Sequence, residues 1–499
     1  MNANLYALFE RHFPDGTEQP MLVIPNGPVI HYDDVAAASA RYAHALVAAG
    51  CRPGDRVAAQ LDKDPRVLVL YLACLRAGLV YLPLNTGYQK PELRYFFHDA
   101  EPTVIVCNIA QLGAVVTLAG SATVLTLDEL DERAGAHQAR FDTVHSASDD
   151  LAAILYTSGT TGRSKGAMLT HRNLASNAVA LVEEWGFTRG DVLLHALPIY
   201  HVHGLFVAIH CVLLAGARML WLARFDAREV ASLLPRASVM MGVPTFYTRL
   251  LTEPSFTREV AAGVRLFVSG SAPLLAETFA AFETHTGVAV LERYGMTETG
   301  MITSNPLLGA RVGGTVGKPL PGVEVRIVTG DEAGSAIGSV EVRGPNVFAG
   351  YWRMPEKTRE EFTADGYFRT GDMGEWVATD PGRGYLRLIG RAKDLIITGG
   401  LNVYPKEIEE RIDDLDGVEE SAVIGIPHPD FGEAVTAVIV ALPGHTLTET
   451  SVIAALKGEI ANFKVPKKVH IVEALPRNAM GKVQKTLLRE MFTPKAPHA

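Results

Sequence analysis

From Asp33 to Leu84 the chain alternates between helical and extended stretches with a regularity that few folds can absorb. DDVAAASARYAHALVAAG has the apolar spacing of a helix and CRPGD turns the chain. RVAAQL is a short apolar strand, Val67 to Arg76 is helical again, and VYLPL is the next strand. Helices of about 10 to 18 residues between short apolar strands return the chain in the same direction each time, so the pattern predicts βαβ units and a largely parallel sheet. Another cycle runs from Pro91 to Cys107. Beyond an amphipathic helix at Asn173 to Trp185, strands are expected at Val192 to Pro198, Ser238 to Val243 and Arg265 to Ser269. Between residues 313 and 390 the character changes. EVRIV, GSVEVRG, GYFRTGD and GYLRLIG, separated by Gly, Pro and Asp turns, predict an antiparallel sheet or small barrel. The last hundred residues read as a separate small α/β unit, with strands ESAVIGIP and AVTAVIVAL, and a boundary falls near Gly390 to Lys393.

A chain of 499 residues exceeds one compact core, and two to four structural units are expected. The net charge of -9, from 46 basic against 55 acidic residues, gives no general attraction to nucleic acid. Cys51, Cys74, Cys107 and Cys211 have no paired spacing and sit among apolar residues, as core residues in a reducing compartment do. The opening MNANLYALFERHF lacks the pattern of a secretory leader. The most membrane-like run, Gly204 to Leu220, has only 17 residues and includes His210 and Arg218, so it reads as a buried helix and strand. A cytoplasmic protein without membrane or nucleic-acid partners is the expectation.

Several short stretches carry chemistry. Tyr156 to Gly166, YTSGTTGRSKG, gathers glycines, hydroxyl side chains, Arg163 and Lys165 directly after the apolar run Leu151 to Leu155. Backbone N–H groups and hydroxyls in such a loop can wrap phosphate oxygens. It lacks the Gly-Lys-Ser/Thr ending of a Walker loop, which removes the P-loop NTPase reading. YGMTE, Tyr294 to Glu298, follows the apolar Val288 to Leu291 and places an aromatic, a hydroxyl and a carboxylate where a purine and Mg²⁺ are handled at a strand end. SGSAP, Ser269 to Pro273, ends another strand with residues small enough for a planar base to approach. In YFRTGDMG, Asp372 sits in a glycine-flanked turn with lone pairs suited to two ribose hydroxyls. Near the end, PRNAMGKVQK offers Lys482 between a glycine and an apolar residue.

In this order and over nearly the whole chain from about residue 30, these motifs resemble the adenylate-forming superfamily of acyl-CoA synthetases, peptide-synthetase adenylation domains and luciferases. The resemblance implies an α/β fold. A large N-terminal domain, residues 1–390, would hold parallel α/β sheets and a small β-barrel-like subdomain. A hinge at 391–393 would lead to a smaller mobile α+β cap at 394–499. It implies that ATP is held by Thr157, Ser158, Gly159, Thr160, Thr161, Gly162 and Lys165. Further nucleotide contacts would come from Ser271, Ala272, Pro273, Glu292, Arg293, Tyr294, Gly295, Met296 and Thr297, and from Asp372, Arg387, Arg391 and Lys482. Catalysis falls to Lys482, Glu298 and Thr157, with Glu298 toward Mg²⁺. Lys393 is the implied hinge, and Gly399, Gly400 and Leu401 of GGLNVYP flank the CoA arm. Lys464, Lys467 and Lys468 are candidates for its nucleotide. Resembling enzymes are controlled by acetylation of this lysine, which makes a lysine acetyltransferase a candidate partner at Lys482.

The acid is read from two further stretches. MGVPTFYTRLL, Met241 to Leu251, is apolar except for hydroxyls and Arg249, and a guanidinium in an acyl pocket must be paired with an anion. LPIYHVHG supplies His201, followed by His203. HALPIYHVHGLF, GVPTFYTRLL, SGSAPL and LERYGMTET most resemble the malonyl-CoA synthetases (malonate-CoA ligases). That resemblance implies a substrate site of His201, Arg249, Ser271, Arg293 and Met296 around a small dicarboxylate, malonate or methylmalonate. ATP and CoA are the implied co-substrates, and malonyl-CoA, AMP and pyrophosphate the products, formed through a malonyl-adenylate. A CoA ligase for another short-chain or aryl acid, an acyl-AMP ligase loading a carrier protein, and a non-enzymatic nucleotide binder share the nucleotide motifs and stay open on the sequence.

Overall fold

The computed structural model describes residues 2–14, 19–157, 164–329, 336–377, 384–398, 401–428, 432–457, 459–460, 462–478 and 481–493. The chain divides into two compact units, Met1–Val325 with Val342–Phe368, and Arg326–Glu341 with Arg369–Ala499.

Two sheets build the first unit. In the six-stranded sheet, Thr123–Thr126, Val104–Cys107, Arg56–Gln60, Val80–Pro83 and Leu151–Thr157 lie parallel in that order, and Lys165–Thr170 closes the edge antiparallel to Leu151–Thr157. The nine-stranded sheet has a parallel centre of Leu291–Met296, Leu266–Ser269, Val239–Gly242, Val192–His195, Arg218–Trp221 and Pro20–Val23, with antiparallel strands at both edges. The reason is the one the alternation predicts. Strands such as VIVC at Val104–Cys107 are buried along their whole length because helices cover both faces of a parallel sheet. Those helices start where local chemistry tells them to: Asp64 accepts from Arg66 N at 2.8 Å and Pro65 occupies the first helical position. All four cysteines are free and buried.

Two stretches differ in detail from the sequence expectation. The run from Gly204 begins as a π-helical turn, His203–Ile209, continues as the helix His210–Ala215 and ends in the strand Arg218–Trp221. YGMTE does not follow a strand; its first three residues complete one. Leu291–Met296 pairs in parallel with Leu266–Ser269 only as far as Glu292, and from Arg293 onward it pairs antiparallel with Gly300–Ser304. The tight hairpin depends on Gly295, where a Cβ would collide with the Gly300 carbonyl.

The second unit contains most of a four-stranded sheet, Glu324–Val328, Gly338–Arg343, Phe368–Val377 and Tyr385–Arg391, which is what the short strands after residue 313 form. Cutting the sequence at 390 assigns this sheet to the N-terminal part, whereas the compact units group most of it with the C-terminal part. Beyond it, Val418–His428 and Gly432–Ala441 make a long antiparallel pair. Lys468–Val472 lies parallel to the second strand of that pair, and the short strands Ile396–Thr398 and Leu401–Val403 complete a five-stranded sheet. Helix Pro405–Asp413 covers one face of it and helix Lys485–Phe492 packs on the strand Val418–His428. Among the described residues no helix is long and apolar enough to cross a membrane.

Candidate active site

The ends of the parallel strands in the first unit collect the motif residues. Thr157 and Lys165 are register partners that close the hairpin on either side of residues 158–163. Ser158, Gly159, Thr160, Thr161 and Gly162, the centre of the expected phosphate grip, lie outside the described residues. Thr157 Oγ1 is 3.5 Å from Glu298 Oε1, which also accepts from the Tyr351 hydroxyl at 3.1 Å. Lys165 Nζ stands 4.2 Å above the Tyr351 ring and 3.7 Å from Glu361 Oε1. A buried carboxylate, a hydroxyl and a lysine thus share one corner, from segments more than a hundred residues apart.

Glu298 is held there by the hairpin that follows Met296. Asn177 accepts from Met301 N at 3.0 Å and donates to Met301 O at 2.8 Å, and Asn346 donates to Thr299 O at 2.8 Å. Tyr294 is buried, while Gly295, Met296 and Thr297 are half-buried, and Thr297 lines a small closed cavity with Asn177, Gly300 and Asn346. Glu292, on the opposite side of the strand from Arg293, accepts from Gly314 N at 3.1 Å.

Arg293 is the unusual group. It is only 4% exposed, and its Nε and Nη2 have no hydrogen-bond partner among the described residues. These two nitrogens form the side-on edge with which a guanidinium takes both oxygens of a carboxylate. Burial pushes its pKa down to about 9, since a charge withdrawn from water without a counter-ion is costly. The guanidinium lies across Gly270, where a Cβ would overlap its central carbon. Ser271 follows with a left-handed φ of 72°, a strained choice for a side chain other than glycine, and its hydroxyl is 3.3 Å from His203 Nδ1. His203 is 1% exposed, and its Nε2 and the hydroxyl of Ser269 are buried without partners. Burial, with Arg293 adding to it, holds the His203 pKa well below the usual histidine range, so the ring is neutral at pH 7. One cation and two neutral polar groups therefore sit at one sheet end with hydrogen-bonding capacity to spare.

A second buried network supports the turn that carries His203. His195 Nε2 is 3.0 Å from Gly204 O, and its Nδ1 is 2.6 Å from Lys63 Nζ, which also donates to His195 O at 2.8 Å. Both Lys63 and His195 lie against the Trp221 ring, Lys63 Nζ 4.6 Å from its centroid, and burial holds the Lys63 pKa well below the usual lysine range. Burial first, and the adjoining lysine second, depress the His195 pKa; it is a neutral imidazole whose Nε2–H donates to Gly204 while Nδ1 accepts from Lys63.

The other acid-site expectations fall around this cluster. His201 is half-buried and accepts from His203 N through Nδ1 at 3.2 Å, which shapes the turn. Arg249 is exposed. Its helix, Pro244–Leu251, turns Tyr247 and Leu250 inward, and among the described residues the Arg249 guanidinium forms no ion pair. Ala272 is half-buried and Pro273 exposed. Sequence reasoning did not single out Lys63 or His195, and it reached His203, Ser269 and Gly270 only as members of LPIYHVHG and SGSAP.

In the second unit, Asp372 and Arg391 are register partners and form an ion pair at 2.7 Å, so the two expected ribose contacts do come together. Arg387 pairs with Glu375 at 3.4 Å. Lys393 is exposed in the short turn Ala392–Asp394. Gly399 and Gly400 lie outside the described residues; Leu401 opens the strand Leu401–Val403. Lys482 is exposed, with its backbone N donating to Asn478 Oδ1 at 3.0 Å.

With this geometry, the sequence pattern of AMP-binding enzymes matches residues 11–352, and that of the AMP-binding enzyme C-terminal domain matches residues 407–482. The chain belongs to the AMP-binding enzyme family. It is 38% identical over 491 residues to a mitochondrial malonate–CoA ligase of Mus musculus, covering 89% of this chain and 83% of that one. It is 35% identical over 476 residues to a feruloyl-CoA synthase of Amycolatopsis sp, covering 93% of this chain and 94% of that one. Among solved structures it is similar to ATP-bound MatB from Rhodopseudomonas palustris, at 54% identity and a TM-score of 0.94, with 99% of each chain covered. The family match together with these relatives supports an AMP-forming acid–thiol ligase of the adenylate-forming fold.

Proposed function

We propose that the chain is a malonate–CoA ligase, converting malonate, ATP and CoA to malonyl-CoA, AMP and pyrophosphate. The observation that carries the choice of acid is Arg293, a buried guanidinium whose carboxylate-binding edge has no partner among the described residues. Relatives named for malonate and a 54% identical MatB structure support the same acid. The distal carboxylate takes Nε and Nη2 of Arg293, with Ser269, Ser271 and neutral His203 as further polar contacts. A carboxylate placed on this edge relieves an uncompensated buried charge. In this reading the anchor is Arg293, and the exposed Arg249 is an outer cation.

The proximal carboxylate oxygen attacks the α-phosphorus of ATP and pyrophosphate leaves, giving malonyl-AMP. Thr157 and Lys165 flank the phosphates, and Lys482 offsets the charge that builds on the α-phosphate and the attacking carboxylate. Glu298, with the Thr157 hydroxyl beside it, is the group to hold Mg²⁺. One buried carboxylate and one hydroxyl fit an ion that takes its remaining ligands from phosphates and water, and Mg²⁺ supplies charge neutralisation there. Residues 394–499 then turn about Lys393 and withdraw Lys482. The CoA sulfur attacks the acyl carbon, the thiol loses its proton, and AMP leaves with the electrons of the broken anhydride bond. Asp372 and Arg391 hold the ribose, and Gly399, Gly400 and Leu401 flank the CoA arm.

AMP formation with CoA, measured across acetate, malonate, methylmalonate, succinate, benzoate and ferulate, tests the reading. Malonate leading the panel by about tenfold or more supports it, because a monocarboxylate leaves the buried donors unpaired. Equal rates for acetate and malonate, or a lead for an aryl acid, contradict it. Adenylation of malonate without thioester formation on free CoA favours a carrier-protein ligase.

A further inference from the structure

The segment that carries Lys482 is fastened to its own unit in two ways, and they do different things. Apolar burial anchors its ends: Leu475 before it and Leu488 after it are buried in one cluster with Ile424, Ile426 and Val438, and Val483 packs against that cluster. Between those anchors the chain folds back on itself. Arg477 and Val483 form an antiparallel bridge, Asn478 N donates to Lys482 O at 2.9 Å, Lys482 N donates to Asn478 Oδ1 at 3.0 Å, and Gln484 N donates to Pro476 O at 2.8 Å. These bonds give the finger its shape but do not orient it on the sheet.

Orientation comes from two ion pairs, one on each leg. Arg477 pairs with Glu420 on the strand Val418–His428, and its Nη1 also donates to Gly481 O at 2.5 Å. On the other leg, Lys485 Nζ is 2.6 Å from Glu409 Oε1, on the helix Pro405–Asp413. Glu409 is itself fixed, because the same oxygen accepts from Val423 N at 2.7 Å. All four side chains are between 12% and 31% exposed, so solvent screens these pairs less than open surface pairs. Helix and strand are also tied directly, the Ser421 hydroxyl donating to Glu409 O at 3.4 Å.

We infer that Glu409 and Glu420 are positioning residues for Lys482, needed for adenylation and dispensable for thioester formation. This rests on the proposed role of Lys482. A lysine on a four-carbon stem reaches a phosphate productively only if its backbone is held, and an error of about 1 Å in placement lowers a rate by about a hundredfold. Malonyl transfer to CoA follows withdrawal of Lys482 and is indifferent to how its finger is aimed.

The experiment compares Glu409→Gln, Glu420→Gln and Lys482→Ala with the unaltered enzyme in two half-reactions: malonate-dependent ATP–pyrophosphate exchange, and malonyl-CoA formation from chemically prepared malonyl-AMP and CoA. Expected for each glutamine variant is an exchange kcat down by about tenfold or more, with transfer within about twofold of the unaltered enzyme and the thermal midpoint little changed. Glu420→Arg combined with Arg477→Glu, which restores the pair with reversed polarity, should regain exchange relative to either single change. Glutamine variants that exchange normally while Lys482→Ala does not, or that lose both half-reactions together, overturn the positioning role. Normal exchange by Lys482→Ala overturns the role of the lysine and this inference with it.

Discussion

The proposed acid site of the first unit and the lysine finger of the second use charge in opposite ways. Around Arg293 a cation is buried with its binding edge unsatisfied, and its neighbours His203 and Ser269 also keep unused hydrogen-bonding atoms. Around Lys482 the neighbouring charges are matched: Arg477 with Glu420 and Lys485 with Glu409. The first arrangement costs stability and gives it back when a carboxylate arrives, so it serves recognition. The second spends its charges on geometry and leaves nothing for a ligand, so it serves placement. An ion pair inside the protein and an unpaired ion inside the protein are therefore different functional statements, although a sequence shows only charged residues in both cases.

The contrast can be broken most severely at Gly270. Gly270→Ala puts a methyl group into the Arg293 guanidinium and should lower kcat/KM for malonate by about a hundredfold or more, while the KM for ATP stays within about twofold. Steady-state kinetics with each substrate varied in turn checks this. A smaller loss, about tenfold in malonate kcat/KM, is expected for Lys63→Met, which leaves His195 Nδ1 without its donor and loosens the turn beginning at Gly204. Lys63→Arg, which keeps a donor, should recover part of that loss.

Salt sharpens the comparison. Raising NaCl from about 0.05 to about 0.5 M shortens the screening length to roughly 4 Å. It should slow ATP–pyrophosphate exchange by about twofold through the partly exposed pairs of the finger, and leave the preference for malonate over propionate unchanged. The smallest effect concerns Asp413. Burial, with Glu409 and Glu420 nearby, pushes its carboxyl up from 3.8 to about 7. The folded state therefore holds that proton more tightly than the unfolded chain does. The resulting stability is complete below about pH 4 and is lost as pH rises toward 7, a span worth on the order of 2 kcal/mol after discounting for partial exposure. Asp413→Asn should flatten the fall in thermal midpoint between about pH 5 and pH 8 and raise the midpoint at the upper end.

Much of the fold was legible because its signals are local. Short apolar strands between helices gave parallel sheets, and turn-rich short strands gave the antiparallel one. Within the site, Thr157 with Glu298, and Asp372 with Arg391, were legible as motif residues, and the fold brings each pair together. What escaped is set by pairing over long distances. His203, Ser269 and Gly270 acquire meaning only once three strand ends meet, and Lys63 reaches His195 across 132 positions. Arg249 differs from the burial expected of it for another reason. An arginine in an apolar stretch looks buried, yet two residues from the inward Tyr247 is the opposite face of a helix, a periodicity that was available in the sequence. Arg293 was reached through the resemblance alone, because a strand buried on both faces has no polar side to betray a charge.

The central claim is that the side-on edge of Arg293 reads the second carboxylate. It is tested most directly by the ratio of kcat/KM for malonate over propionate, in the unaltered enzyme, in Arg293→Met and in Arg249→Ala. The expected result is a ratio of about a hundred or more in the unaltered enzyme and within about threefold of that in Arg249→Ala. In Arg293→Met it should collapse to near or below one, with the KM for ATP little changed. A ratio that survives in Arg293→Met and collapses in Arg249→Ala contradicts the account.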